Sequence, residues 1–232
     1  MKSRSTSSAR NPFHQILAAA LLCFPGMAAA DSVTRSQALA TAAAYAEYRW
    51  LPSAANVLHG PDRAGIPVST PDRSADNPEL WQAGESAVGV PYKWGGFDTL
   101  ESFERGIRAG KAGGDLYNME KRRKGGAAVS SQAVGVDCSG FISRCWRLPK
   151  KHATSTLPGV CITLRSSALQ PGDVLNQPGG HVVLFVKWLD VGQTRAQFYE
   201  AEPFSKVLSS ERNVPELIAA GYVPLRYREM RD

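Results

Sequence analysis

Four cysteines and four histidines among 232 residues leave few side chains able to serve as a nucleophile, a base or a soft metal ligand. Acidic residues are missing from positions 1–30, which carry Lys2, Arg4 and Arg10. Beyond that leader no apolar run approaches the roughly 20 residues of a membrane-spanning helix. The chain also lacks internal repeats, and its low complexity is confined to the alanine-rich start. The net charge of +6 invites an anionic partner until the leader is set apart. What remains has 24 basic against 21 acidic side chains, a net of +3, too mild to argue for nucleic acid.

The leader has the parts of a secretory signal. Its basic start precedes a short uncharged apolar core, Ile16 to Phe24, which Pro25-Gly26 breaks. Ala28-Ala29-Ala30 then offers a small-x-small cleavage site before Asp31. Cys23 raises the question of a lipoprotein signal, but Leu22 is bulky where such signals take a small residue. The expectation is a removed signal peptide at 1–30 and a soluble exported protein in a periplasm, cell wall or extracellular space. Cys138, Cys145 and Cys161 then remain, an odd number for an oxidising compartment, which leaves at least one free thiol. Pairing of Cys145 with Cys161 would leave Cys138 over; the alternative is that all three are reduced.

Hydrophobic spacing predicts a helix over Ser32 to Trp50, with Leu39, Ala43, Ala46 and Trp50 as its docking stripe. Residues 51–78 read as loop, punctuated by proline and glycine. Glu79 to Val88 reads as a short helix. Within the long segment 97–136, Phe103, Ile107 and Leu116-Tyr117 predict a partly helical, docked stretch, and the basic run Lys121 to Lys124 a solvated loop, with a contact to an anionic wall polymer as the alternative. Asp137 to Leu148 is expected as a helix, with Phe141, Ile142, Cys145 and Trp146 on one face. Strands follow at Val174-Leu175, His181 to Trp188, Gln197 to Ala201 and Tyr222 to Tyr227. A helix followed by a succession of strands predicts an α+β domain with an antiparallel sheet.

Asp137-Cys138-Ser139-Gly140-Phe141 puts a cysteine at the start of an apolar-periodic helix. The partial positive charge there favours a thiolate, and the free backbone N–H groups suit an oxyanion. A thiol nucleophile needs a base. His59 lies in the proline- and glycine-rich stretch, and His152 follows Lys150-Lys151 in an expected surface turn. His181 opens a buried-looking strand after Gly179-Gly180, which makes it the candidate base. Glu200 is the candidate to orient the imidazole, with Glu202 as its competitor on the same strand face.

Four blocks then stand in order: Pro91-Tyr92-Lys93-Trp94-Gly95-Gly96, Asp137-Cys138-Ser139-Gly140-Phe141, Leu169-Gln170-Pro171-Gly172-Asp173 and Gly180-His181-Val182-Val183. Together they resemble the signature of the NlpC/P60 cysteine peptidases, over roughly residues 79–228. The resemblance implies a papain-like fold, a nucleophile helix packed on a small antiparallel sheet. It implies hydrolysis of an amide in peptidoglycan stem peptides, commonly between γ-D-glutamate and a diamino acid. Cys138 would be the nucleophile and His181 the base. Glu200 would stand where His, Asn or Gln is more usual. Tyr92, Asp137 and Ser139 match positions that bind substrate in relatives. The 40 residues between Gly96 and Asp137 exceed the family's usual spacing and are expected to form a specificity wall or a cover for the cleft.

The organisation expected is thus a signal peptide at 1–30, a helical and loop lead-in at 31–78, and a catalytic domain at 79–232 with an inserted segment at 97–136. No metal or organic cofactor is required by this chemistry. The partners expected are peptidoglycan or its peptide fragments, with no nucleic acid, no membrane span in the mature protein and a monomer as the simplest state. Two rivals use the same residues: an amidase or acyltransferase with another substrate, and a non-catalytic wall-binding protein. A zinc site made from Cys138, His181 and a carboxylate would lack the close-spaced ligand pairs common in such sites.

Overall fold

Thr34 closes a reciprocal cap at the start of helix α1 (Arg35–Ala46): its hydroxyl accepts from Gln37 N, and the Gln37 side chain accepts from Thr34 N. This is a computed structural model, which describes residue 1 and residues 32–71 and 80–232. The expected signal peptide lies outside the described residues. Ala38, Ala42 and Tyr45 form the buried face of α1, one position away from the expected stripe. The helix ends at Ala46, and Arg49–Trp50 becomes a strand paired with Ala87–Val88. Trp50 is buried by that pairing, its ring 5.3 Å from Trp81 and 5.2 Å from Phe103.

Two further expectations are corrected in this region. The supposed loop 51–78 contains a hairpin, Leu58–Pro61 with Pro67–Thr70. Its turn is held by the Asp62 carboxylate, which accepts from Ala64 N and Ile66 N, a side-chain substitute for backbone pairing. The short helix expected over Glu79 to Val88 is absent among the described residues. Leu80 and Trp81 are buried, Gly84 turns with φ of 88° and donates to Pro52 O, and the strand Ala87–Val88 follows.

The inserted segment is structured. Helix α2 (Leu100–Arg108), capped by Thr99, buries Phe103 and Ile107 as expected. The basic run, however, is helix α3 (Met119–Lys124), and its charges go to different places. Lys121 is buried against Asp115 at 2.7 Å, and Lys124 pairs with Glu120 one turn away. Arg122 reaches the carbonyl of Gly179 at 3.2 Å. A run that composition assigns to solvent is divided by helical periodicity among a core, a surface and a cleft.

Helix α4 (Cys138–Cys145) packs on a six-stranded antiparallel sheet. The strand order is Val207–Asn213, Arg195–Ala201, Val182–Trp188, Val174–Asn176, Val223–Tyr227 and Cys161–Thr163. Val182 and Leu184 join the core beneath α4, whereas Val183 and Phe185 join a second core with Leu175, Phe198 and Val214. That accounts for the unbroken apolar run of this strand. Asp173 ties the ends of the domain together: Arg226 Nη2 lies 2.7 Å and Arg35 Nη1 3.2 Å from its buried carboxylate. The protein is of mixed α and β type, with few helices and small sheets. Among the described residues no helix is long and apolar enough to cross a membrane.

Candidate active site

The N-terminus of α4 is fixed by Asp137, whose Oδ1 accepts from Gly140 N at 2.6 Å and from Ser139 Oγ at 3.0 Å. Such a cap satisfies one of the otherwise unpaired N–H groups of a helix start. It leaves Cys138 as the first helical residue, 7% exposed. The turn Gly95-Gly96 presses against this end of the helix, with Asp137 N donating to Gly96 O at 3.2 Å. A Cβ on Gly140 would stand 1.9 Å from that same oxygen. Two of the sequence blocks are therefore locked together by backbone contact, and that contact sets the position of the thiol.

His181 comes from the loop that enters strand Val182–Trp188. Its Nε2 lies 2.8 Å from Glu200 Oε2 on the neighbouring strand Arg195–Ala201. His181, Val183 and Phe185 alternate onto one face, and the pairing of Phe185 with Phe198 brings Glu200 to that face. The other carboxylate oxygen of Glu200 accepts from Arg212 Nε at 3.0 Å and Nη2 at 2.7 Å. Glu200 is fully buried, so its charge requires these partners. Glu202, the competitor, is occupied elsewhere: its carboxylate accepts from Phe204 N at 3.1 Å.

With Nε2 committed to Glu200, Nδ1 is the nitrogen left for the thiol. It is buried and has no hydrogen-bond partner among the described residues. Burial by itself would lower the imidazole pKa. The neighbouring Cys138, followed by Glu200, more than offsets this and raises it to about 10. Burial conversely favours the neutral form of Glu200, but His181 and then Arg212 outweigh it and hold the carboxyl near 2. The arrangement keeps a charged imidazolium beside the Cys138 thiol, the setting in which a cysteine serves as a nucleophile.

Tyr92 and Ser139, with Asp137, line the same cavity of about 610 Å³ as Cys138 and His181. Tyr92 is 2% exposed; burial, together with charge on Cys138 and Asp137, holds its phenol well above the ordinary value. All six of the site residues expected from sequence thus converge on one end of the sheet. Neither His59 nor His152 lines the cavity. Among the described residues no group of three or more His, Cys, Asp or Glu is placed to hold a metal ion.

Three participants were not foreseen. Arg212 supports Glu200 from a strand whose polar sequence gave no periodic signal. Lys151 lies on the cavity wall with its Nζ 2.8 Å from Asp137 Oδ2. Arg122, with Tyr117 and Val129, shows that the inserted segment supplies part of the wall. The length of the insertion, and the alternative reading of its basic run as a contact to an anionic polymer, hinted at such a role.

Cys138, Cys145 and Cys161 are all free thiols, so the Cys145–Cys161 disulfide is not formed. Burial pushes Cys145 well above its ordinary pKa and Cys161 up to about 12. In the native protein, iodoacetamide is therefore expected to modify Cys138 alone among these three, with the other two reacting only after denaturation. Peptide mapping by mass spectrometry checks this; native labelling of Cys145 or Cys161 would contradict it.

No family model and no curated protein matches this chain.

Proposed function

We propose that this chain is an exported cysteine hydrolase of the NlpC/P60 type, acting on an amide bond in peptidoglycan stem peptides. The observation that carries the reading is the convergence of Cys138, at a capped helix start, with His181, whose far nitrogen rests on buried Glu200. A nucleophile helix packed on a six-stranded antiparallel sheet supports a papain-like architecture. The ordered sequence blocks support the substrate class and the γ-D-glutamyl–diamino acid bond.

In this mechanism the Cys138 thiolate attacks the scissile carbonyl carbon, and the developing oxyanion is met by backbone N–H groups at the start of α4. Imidazolium His181 gives its proton to the departing amine as the C–N bond breaks, leaving a thioester. Neutral His181 then takes a proton from water, whose oxygen attacks the thioester; the C–S bond breaks and the thiolate returns. Glu200 keeps the ring oriented and stabilises its cation, and Arg212 holds Glu200. Thiol, imidazole and backbone donors supply the whole sequence of steps.

The pH dependence follows from these charges. A raised imidazole pKa keeps the proton that the leaving amine needs until the pH passes about 10. Replacing Glu200 by Gln removes the charge that helps to hold that proton. The alkaline limb of kcat/KM is expected to move down by roughly one pH unit or more, with a rate loss of about 10–100-fold. An unchanged alkaline limb in E200Q would contradict the role given to Glu200. Stability follows the same groups. The His181 contribution is complete below its ordinary value of 6.5 and is lost as pH rises through about 10. That of Glu200 is complete above its ordinary 4.5 and is lost as pH falls through about 2.

The substrate class is tested with a panel of muropeptides, N-acylated lipids and protein side-chain amides, each digest read by mass spectrometry. Cleavage confined to muropeptides is expected, with new termini at a stem-peptide amide. Turnover of one of the other classes alone would replace this substrate by an amidase or acyltransferase reading of the same thiol.

A further inference from the structure

The cavity around Cys138 and His181 holds an unbalanced charge. Lys151 on its wall is neutralised by Asp137 at 2.8 Å, and among the described residues Asp137 is the only carboxylate that lines it. In the proposed mechanism the charges of Cys138 and His181 cancel. Arg122 is what remains. Its guanidinium donates through Nη2 to Gly179 O at 3.2 Å and has no carboxylate partner among the described residues. Of the other basic residues of its helix, Lys121 pairs with Asp115, Lys124 with Glu120, and Arg123 lies outside the cavity.

Gly179 lies two residues before His181, the group that returns a proton to the leaving amine. The bond to Gly179 holds Arg122 on the same cavity wall as His181, from which the leaving amine would take its proton in the proposed mechanism. One nitrogen is used to fix the guanidinium, and the other N–H groups of this planar donor remain for a planar acceptor. Nearby walls are aromatic: the ring of Trp94 lies 5.8 Å from that of Tyr117, which lies 5.9 Å from Phe204. A single uncompensated cation in a cavity that apolar rings also line suits a monoanion carried on an otherwise uncharged or apolar group. It offers too few donors for a phosphate, which calls for several cations or a nest of backbone N–H groups.

We propose that Arg122 is a specificity residue that binds a carboxylate on the leaving-group portion of the substrate. The inference deepens the proposed function and rests on that reading for the nature of the natural substrate. The inserted segment then has a definite task, since α3 carries this cation into the cavity wall.

The test uses an electrophile matched to the site, so that it does not depend on muropeptide hydrolysis. N-chloroacetyl-alanine and N-chloroacetyl-alaninamide alkylate a thiol by displacing chloride and differ only in carboxylate against carboxamide. With the full chain, second-order inactivation at Cys138 is expected to favour the acid by about tenfold or more, the worth of a charge-assisted hydrogen bond. In Arg122→Gln that ratio falls to near one. In Arg123→Gln, which removes the same charge from an exposed neighbour outside the cavity, it is kept. A ratio near one in the unaltered protein, or one that survives Arg122→Gln, overturns the proposal. Alkylation at Cys138 itself reports that each variant retains its site. If the acid preference depends on Arg122 while muropeptides are left uncut, the carboxylate site stands and the peptidoglycan reading alone fails.

Discussion

Gly140→Ala is expected to destabilise the protein by about 3 kcal/mol or more, a shift in Tm of roughly 6–12 °C for a domain of this size. The added Cβ would lie 1.9 Å from Gly96 O and 3.1 Å from Asp137 Oδ1. The first clash is with backbone, so no change of rotamer relieves it. Either the start of α4 must lift from the turn Gly95-Gly96, which stretches the bond from Asp137 N to Gly96 O, or the turn itself must move. Both displace Cys138 relative to His181. Activity at temperatures where the variant is still folded is therefore expected to fall as well. Gly159→Ala is the matched control, because nothing lies within 4 Å of its added carbon. It should change stability by less than about 0.5 kcal/mol. Thermal melts followed by circular dichroism compare the two. Equal melting temperatures would show that the contact between these sequence blocks does not fix the nucleophile.

The second large effect is on rate. Cys138→Ala and His181→Ala are each expected to lower kcat/KM by about 10⁴-fold or more, because one removes the attacking atom and the other its proton carrier. The two act as a unit, so their losses do not add. The double variant should be no slower than the worse single one, within about threefold. His181→Ala also leaves buried Glu200 with Arg212 alone, which predicts a loss of stability that Cys138→Ala does not share. Rates from chromatography of the products and melts of the same samples separate the two consequences. If the losses multiplied in the double variant, independent roles for the two residues would follow.

What could be read from sequence was chemistry tied to local order. A cysteine before an apolar helix, a histidine opening an apolar strand and a carboxylate on the next strand each carry a short-range signal, and the structure brings Cys138, His181 and Glu200 together. Pairing that spans the chain was much less legible. The hairpin Leu58–Pro61 with Pro67–Thr70 is too rich in proline and glycine to show alternation, and Trp50 resembles the end of a helix because its strand has two residues. The polar strand Val207–Asn213 lies at the sheet edge, where burial imposes little pattern, so Arg212 was invisible as a partner of Glu200. Lys151 and Arg122 sit in basic runs that composition assigns to solvent. Their places depend on a cap fourteen residues earlier in the first case and on a glycine carbonyl across the cleft in the second.

The most direct test of the account is a digest of purified muropeptides by the protein and by Cys138→Ala, read by mass spectrometry. The account predicts a new pair of stem-peptide fragments from the first and none from the second, with the masses locating the cut at one amide. Absence of fragments from both, while Cys138 still labels with iodoacetamide, would contradict peptidoglycan as the substrate; equal cleavage by both would remove Cys138 from the chemistry.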